Sequence, residues 1–298
     1  MRTPGAENLI RQRVTALGRV LPAAGKGDVH SLHQARVASR RIRAALPLVA
    51  TGKKADKLAR SVRKLTQALG PVRELDVELE ILDELDGSAD VPRSAVHRMR
   101  VAIGDERRTL HSELKERLDS FDLGKLRKRA VSAARKQEEK APHGARDPKR
   151  VDAARHRATR RAERVVTAID EAAGLYLPDR LHTLRIAVKK LRYTLELEPG
   201  AGAARGAARL RTLKTAQDLL GRMHDLEVLI ARARGIQSSP GASNLKVSAD
   251  LDRIVRRLET ECRQLHGHYM ASRKDLLSLV NRVIARGDAG DHARTSAA

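Results

Sequence analysis

Aromatic side chains are almost missing from this chain: there is no Trp, one Phe (Phe121) and three Tyr (Tyr176, Tyr193 and Tyr269). The stacking platforms on which single-stranded nucleic acids lay their bases are therefore nearly absent. A single cysteine, Cys262, excludes an intramolecular disulfide and any cysteine-rich metal site, and suits a reducing compartment. No stretch approaches the roughly 20 uninterrupted apolar residues that cross a bilayer, and the opening MRTPGAENLIRQRV holds no apolar signal core. A cytoplasmic protein without membrane insertion is expected. Acidic residues are also scarce, 37 against 60 Lys and Arg, which leaves a net charge of +23 and a pI near 11.0. A field of that sign attracts polyanions and would oppose compaction if nothing neutralised it. Nucleic acid, a phosphate polymer and an anionic membrane surface are the partner classes it leaves open.

What is present is Ala, Leu, Arg, Lys and Glu, with Gly and Pro at intervals and no sustained period-two alternation of β-branched residues. That composition predicts an all-α protein. The segment Leu32–Leu46, LHQARVASRRIRAAL, returns at Leu181–Leu195 as LHTLRIAVKKLRYTL. His33 falls over His182, Arg36 over Arg185, Arg40 and Arg41 over Lys189 and Lys190, and Arg43 over Arg192. With about 100° per residue, Arg36, Arg40 and Arg43 lie within about 80° of His33, while Leu32, Ala35, Ile42 and Leu46 fill another sector. One edge of each helix is cationic and another is core.

A second repeated stretch follows each copy. Arg60 falls over Arg211, Arg63 over Lys214, Gly70 over Gly221, Arg73 over His224 and Glu74 over Asp225. In a chain one-fifth Lys and Arg, one basic helix edge is ordinary solvated surface. Retention of the same His and Arg spacing in two otherwise divergent halves argues for a task. The basic rows of the second stretch are expected to line the same grooves as the first, and Glu74 and Asp225 to hold guanidinium groups in place. The histidines of the motif are expected to donate to an anion, more strongly once protonated near a pKa of about 6.5.

The order predicts four helices, a Pro/Gly linker and four more helices: a first half over residues 5–137, a linker over 138–149, a second half over 150–285 and a disordered tail over 286–298. Pro22 is expected to end the first helix, Gly70-Pro71 to kink or divide the third, and Asp28 and Asp179 to cap the two motif helices. Residues 121–137 read as an extra basic helix or a frayed extension. The close pairs His30/His33 and His266/His268 lack a duplicate and a third ligand, so no metal and no cofactor are expected. No P-loop, dinucleotide turn or nucleophile elbow appears, and LELEPG at Leu195–Gly200 supplies no following lysine, so no enzymatic activity is expected.

The duplicated H-x-x-R-x-x-x-[RK]-[RK]-x-R helix, followed each time by L-G-x-x-[RH]-[DE]-L-[DE]-V, closely resembles the CHAD family, the conserved histidine α-helical domain, over about residues 5–285. The resemblance implies two four-helix bundles related by a pseudo-twofold. It also implies non-catalytic binding of inorganic polyphosphate, with association with polyphosphate granules as a corollary. The residues carried over are His33, Arg36, Arg40, Arg41, Arg43, His182, Arg185, Lys189, Lys190 and Arg192; Arg60, Arg63, Arg211 and Lys214 join them by position. Many relatives carry a triphosphate tunnel domain, and this chain lacks its E-x-E-x-K motif. Nucleic acid remains the alternative partner, and an accessory role in polyphosphate or triphosphate metabolism the alternative function.

Overall fold

The computed structural model describes residues 6–50, 52–88, 90–139, 148–198, 202–238 and 245–295. Among them are nine helices and no strand: α1 (Ala6–Gly25), α2 (Val29–Val49), α3 (Lys53–Leu85), α4 (Arg93–Asp119), α5 (Leu123–Glu139), α6 (Pro148–Ala172), α7 (Pro178–Leu195), α8 (Ala204–Gln237) and α9 (Leu245–Thr295). The fold is all-α, as the periodicity predicts. Apolar residues at helical spacing, such as Ile10, Val14, Leu17 and Leu21 on α1, are the buried ones.

Several helix ends differ from the expectation. Helix α1 runs through Pro22 to Gly25, with Pro22 on its exposed face, and the chain turns at Gly27, whose φ of +92° lies in the left-handed region glycine favours. Helix α3 is continuous through Gly70-Pro71; Pro71 and Gln67, whose carbonyl loses its usual donor, both lie on the exposed side. Asp28 caps α2, its carboxylate accepting from the Ser31 N–H at 2.7 Å. Asp179 does not cap α7: that helix begins at Pro178 after Leu177, and Asp179 sits in its first turn. Residues 121–137 do hold a helix of their own, α5, and α9 continues past Ala285. Most of the linker read from the sequence (residues 140–147) and residues 296–298 of the tail lie outside the described residues.

The chain forms two compact units. One comprises Met1–Glu80 with Arg100–Arg150. Its core is Ile10 and Leu17 of α1, Leu32 and Ile42 of α2, Val62 and Leu69 of α3, Ile103 and Leu114 of α4, and Ala130 and Ala134 of α5. Helix α5 packs on α1 where Gly18 leaves a gap; a Cβ there would meet Leu123 Cδ2 at 2.9 Å. The buried Asp76 carboxylate accepts from Arg107 Nε at 2.5 Å, and Arg107 also donates to the Gly27 carbonyl.

The other unit comprises Ile81–Met99 with Val151–Ala298. Helices α6–α9 surround one apolar core that includes Val165, Leu184, Val188, Leu213, Leu220, Tyr269 and Leu279. The segment Ile81–Met99 is tied into it by polar bonds: Arg222 bridges Glu84 and Glu261, Ser94 donates to Asp250 at 2.9 Å, and Arg257 lies 3.7 Å from Asp90.

Candidate functional site

In the first unit, α2 and α3 approach closely because the residues at their crossing are small: Ser39 and Thr66 are buried with their hydroxyls 3.1 Å apart. This crossing sets the basic edge of α2 beside that of α3. Arg36 reaches across and donates to the Gly70 carbonyl at 2.6 Å and to Glu74 Oε1 at 3.3 Å. The guanidinium lies against Gly70, where a Cβ would sit in contact with Arg36 Nη1 at 3.4 Å. The glycine and the acid of the second motif thus serve the arginine of the first.

Beyond Arg36 the edge is uncompensated. Among the described residues, no hydrogen bond or ion pair involves the side chains of Arg40, Arg41, Arg43, Arg60 or Arg63. Partial burial, followed by the charges of Arg63 and Arg40, pushes the Arg43 guanidinium below its ordinary pKa. Three cations on two helices therefore bear on one another. His33 stands at the other end of this row. Its pKa is lowered by partial burial and then by Arg73, with smaller effects from His30 and Arg40 and an opposing one from Glu80. Arg73 itself makes a two-pronged pair with Glu80, at 2.8 and 3.1 Å.

The second unit repeats this geometry with different chemistry. Arg185 packs over Gly221, where a Cβ would lie 3.7 Å from its Nε, and reaches Asp225 at 3.7 Å. His182 and His224 face each other, Nδ1 to Nδ1 at 3.0 Å, so one ring donates and the other accepts. Burial, then Arg185, His182 and Lys189, lowers His224 to about 4. Burial, then Arg185 and Lys189, also lowers His182, while Asp179 opposes. Both motif histidines are therefore biased toward the neutral form, which works against the protonation near 6.5 that would strengthen them as donors. His182 and His224 line a cavity of about 360 Å³ with Tyr176, whose hydroxyl donates to Glu227 at 2.5 Å.

Arg192 departs most from its counterpart Arg43. It donates to Gln217 Oε1 at 2.9 Å, pairs with Glu196, and lies 4.7 Å over the Tyr193 ring. Lys214 pairs with Asp218 at 2.6 Å on an exposed face, and the Arg211 and Lys190 side chains are exposed. Within each unit the structure therefore brings together two sets: His33, Arg40, Arg43 and Arg63 in the first, and His182, Arg185 and Lys189 in the second. Arg73, Glu80 and His224 were not singled out from the sequence. The aligned Arg73/His224 position of the repeat was the available signal, and Glu80 falls over Ala231, where the second unit keeps no acid. No group of three His, Cys, Asp or Glu able to hold a metal occurs among the described residues.

The CHAD domain model matches residues 8–234, and the chain belongs to the CHAD domain family. The fold is similar to the crystal structure of the CHAD domain from the plant Ricinus communis, with 19% identity, 89% of each chain covered and a TM-score of 0.65. It is also similar to PptA from Streptomyces chartreusis, with 16% identity, 91% of this chain and 100% of that one covered and a TM-score of 0.55. At these identities the likeness establishes the fold. No curated protein matches the chain. Among the described residues no helix is long and apolar enough to cross a membrane.

Proposed function

We propose that this protein binds inorganic polyphosphate without hydrolysing it, through the basic edges of α2 and α3 in one unit and of α7 and α8 in the other. The observation that carries the reading is the cluster of Arg40, Arg43 and Arg63, in which partial burial and then the two neighbouring charges hold Arg43 below its ordinary pKa and which has no acidic partner among the described residues. A flexible polymer of phosphates supplies the missing charge along a row and needs no aromatic stacking. Arginine forks suit its oxygens in pairs, and the neutral His33 and His182 add single donors. Arg36 and Arg185 act as anchored cations, held by Gly70/Glu74 and by Asp225.

The test is the salt dependence of long-chain polyphosphate affinity, because each phosphate neutralised releases counterions. The wild-type chain is expected to show a steep slope, and a variant with Arg40→Glu, Arg43→Glu and Arg63→Glu a much lower affinity; equal affinities would sink the site. Oligonucleotides at equal phosphate concentration should fail to displace the polymer. Orthophosphate release by pure protein with Mg²⁺ or Mn²⁺ would overturn the non-catalytic reading. In cells, a cytoplasmic protein recruited to polyphosphate granules should disperse when polyphosphate synthesis is abolished.

A further inference from the structure

We propose a second oxyanion site, in the α6–α9 unit: the pocket between the start of α8 and the end of α9 takes a compact multivalent phosphoanion of the inorganic oligophosphate class. Two arginine pairs build it, Arg205 with Arg209 on α8 and Arg282 with Arg286 on α9, and Thr212 completes the polar lining. Its floor is apolar, formed by Leu279 and Val283, and the cavity measures about 350 Å³.

On α8, Arg209 and Thr212 lie within about 40° of Arg205, whereas Arg211 and Lys214 lie about 120–180° away. The pocket is therefore on a different face from the repeated basic edges and owes nothing to them. Like charges four residues apart destabilise a helix, and here two such pairs converge. Glu198 is the acid beside them, 3.5 Å from Arg209 Nη1, with Arg286 and Arg155 also acting on it. One carboxylate leaves the four guanidinium groups largely unneutralised. Among the described residues no ion pair ties Arg205, Arg282 or Arg286, and Arg209 Nε is buried without a hydrogen-bond partner. An anion with several oxygens seated over the apolar floor would be reached from both helices, and its size is limited by the cavity. Short oligophosphates fit that description; a long polymer would have to leave the pocket.

The probe is sodium tripolyphosphate, titrated calorimetrically at fixed ionic strength into the full chain already carrying Arg40→Gln, Arg43→Gln, Arg63→Gln, Lys189→Gln and Lys190→Gln. That protein is expected to bind one tripolyphosphate, and sulfate at equal charge should not displace it. Adding Arg205→Gln and Arg282→Gln, both at exposed positions, should weaken binding at least tenfold. Arg205→Lys with Arg282→Lys should keep part of the affinity, and this pair decides the matter if circular dichroism shows the glutamine variant unfolded. Absence of binding, equal affinity in the pocket variants, or equal displacement by sulfate would each overturn the proposal.

Discussion

Arg43 and Arg192 occupy the same place in the repeat, yet replacing each with Gln should have opposite consequences for stability. Arg43 lies under the charges of Arg63 and Arg40 with no partner among the described residues, so its removal relieves two like-charge contacts. At about 0.2–0.5 kcal/mol each, the gain is about 0.5–1 kcal/mol at low salt, or a Tm higher by roughly 1–4 °C. Arg192 gives up Gln217, Glu196 and the Tyr193 ring, and its side chain is only 16% exposed. The loss of a charge-assisted, partly buried network costs about 2 kcal/mol, a Tm lower by roughly 4–8 °C. Binding should separate the two residues again. Arg43→Gln should reduce the slope of log K against log salt for polyphosphate by about 0.7, the value for one single-strand phosphate contact, and Arg192→Gln should leave it unchanged. Scanning calorimetry at 20 and 200 mM salt, with fluorescence titrations over the same range, measures both quantities. Equal destabilisation by the two variants would refute the view that the α2 edge is charge-frustrated, and an equal fall in slope would refute the assignment of Arg192 to internal bonding.

Gly70→Ala and Gly221→Ala should each stabilise their helix by roughly 0.5–1 kcal/mol, because the added Cβ would sit in ordinary contact with Arg36 at 3.4 Å and with Arg185 at 3.7 Å; urea unfolding of both variants checks this. Arg107→Ala leaves the buried Asp76 carboxylate without its donor and should cost about 3 kcal/mol at pH 7, part of it recovered at pH 4 as the acid, whose pKa burial already raises, takes up a proton. The folded His224 titrates near 4 and an unfolded histidine near 6.5, so the unfolded chain binds more protons between these values and stability falls as pH drops from about 6.5 towards 4. Discounted for partial exposure, this amounts to roughly 1–2 kcal/mol. Urea midpoints at pH 7 and pH 4.5 should differ less in His224→Asn than in the wild type.

The all-α class, the core stripes and the two basic edges were legible in the sequence, because each depends on helical periodicity within about four turns. Leu32, Ala35, Ile42 and Leu46 are buried where their spacing predicted. The repeat also pointed to Gly70/Gly221 and Glu74/Asp225, since Arg36 and Arg185 lean on both pairs. Local pattern could offer Arg192 and Lys214 acids four residues on, but not the cross-helix partners of the cations. Arg43 and Arg192 are identical in type and register; the sequence offers Arg192 an acid four residues on, Glu196, where Arg43 has Pro47, but only the packing brought Gln217 to Arg192 and left Arg43 uncompensated. Nor could it place Ile81–Met99, early in the chain, against the later helices, or bring Arg205 and Arg209 beside Arg282 and Arg286, more than seventy residues away. A sequence determines which face of a helix is apolar; which charges meet across two faces is determined by tertiary contacts, because Coulomb interactions depend on distances in space that the order of residues does not fix.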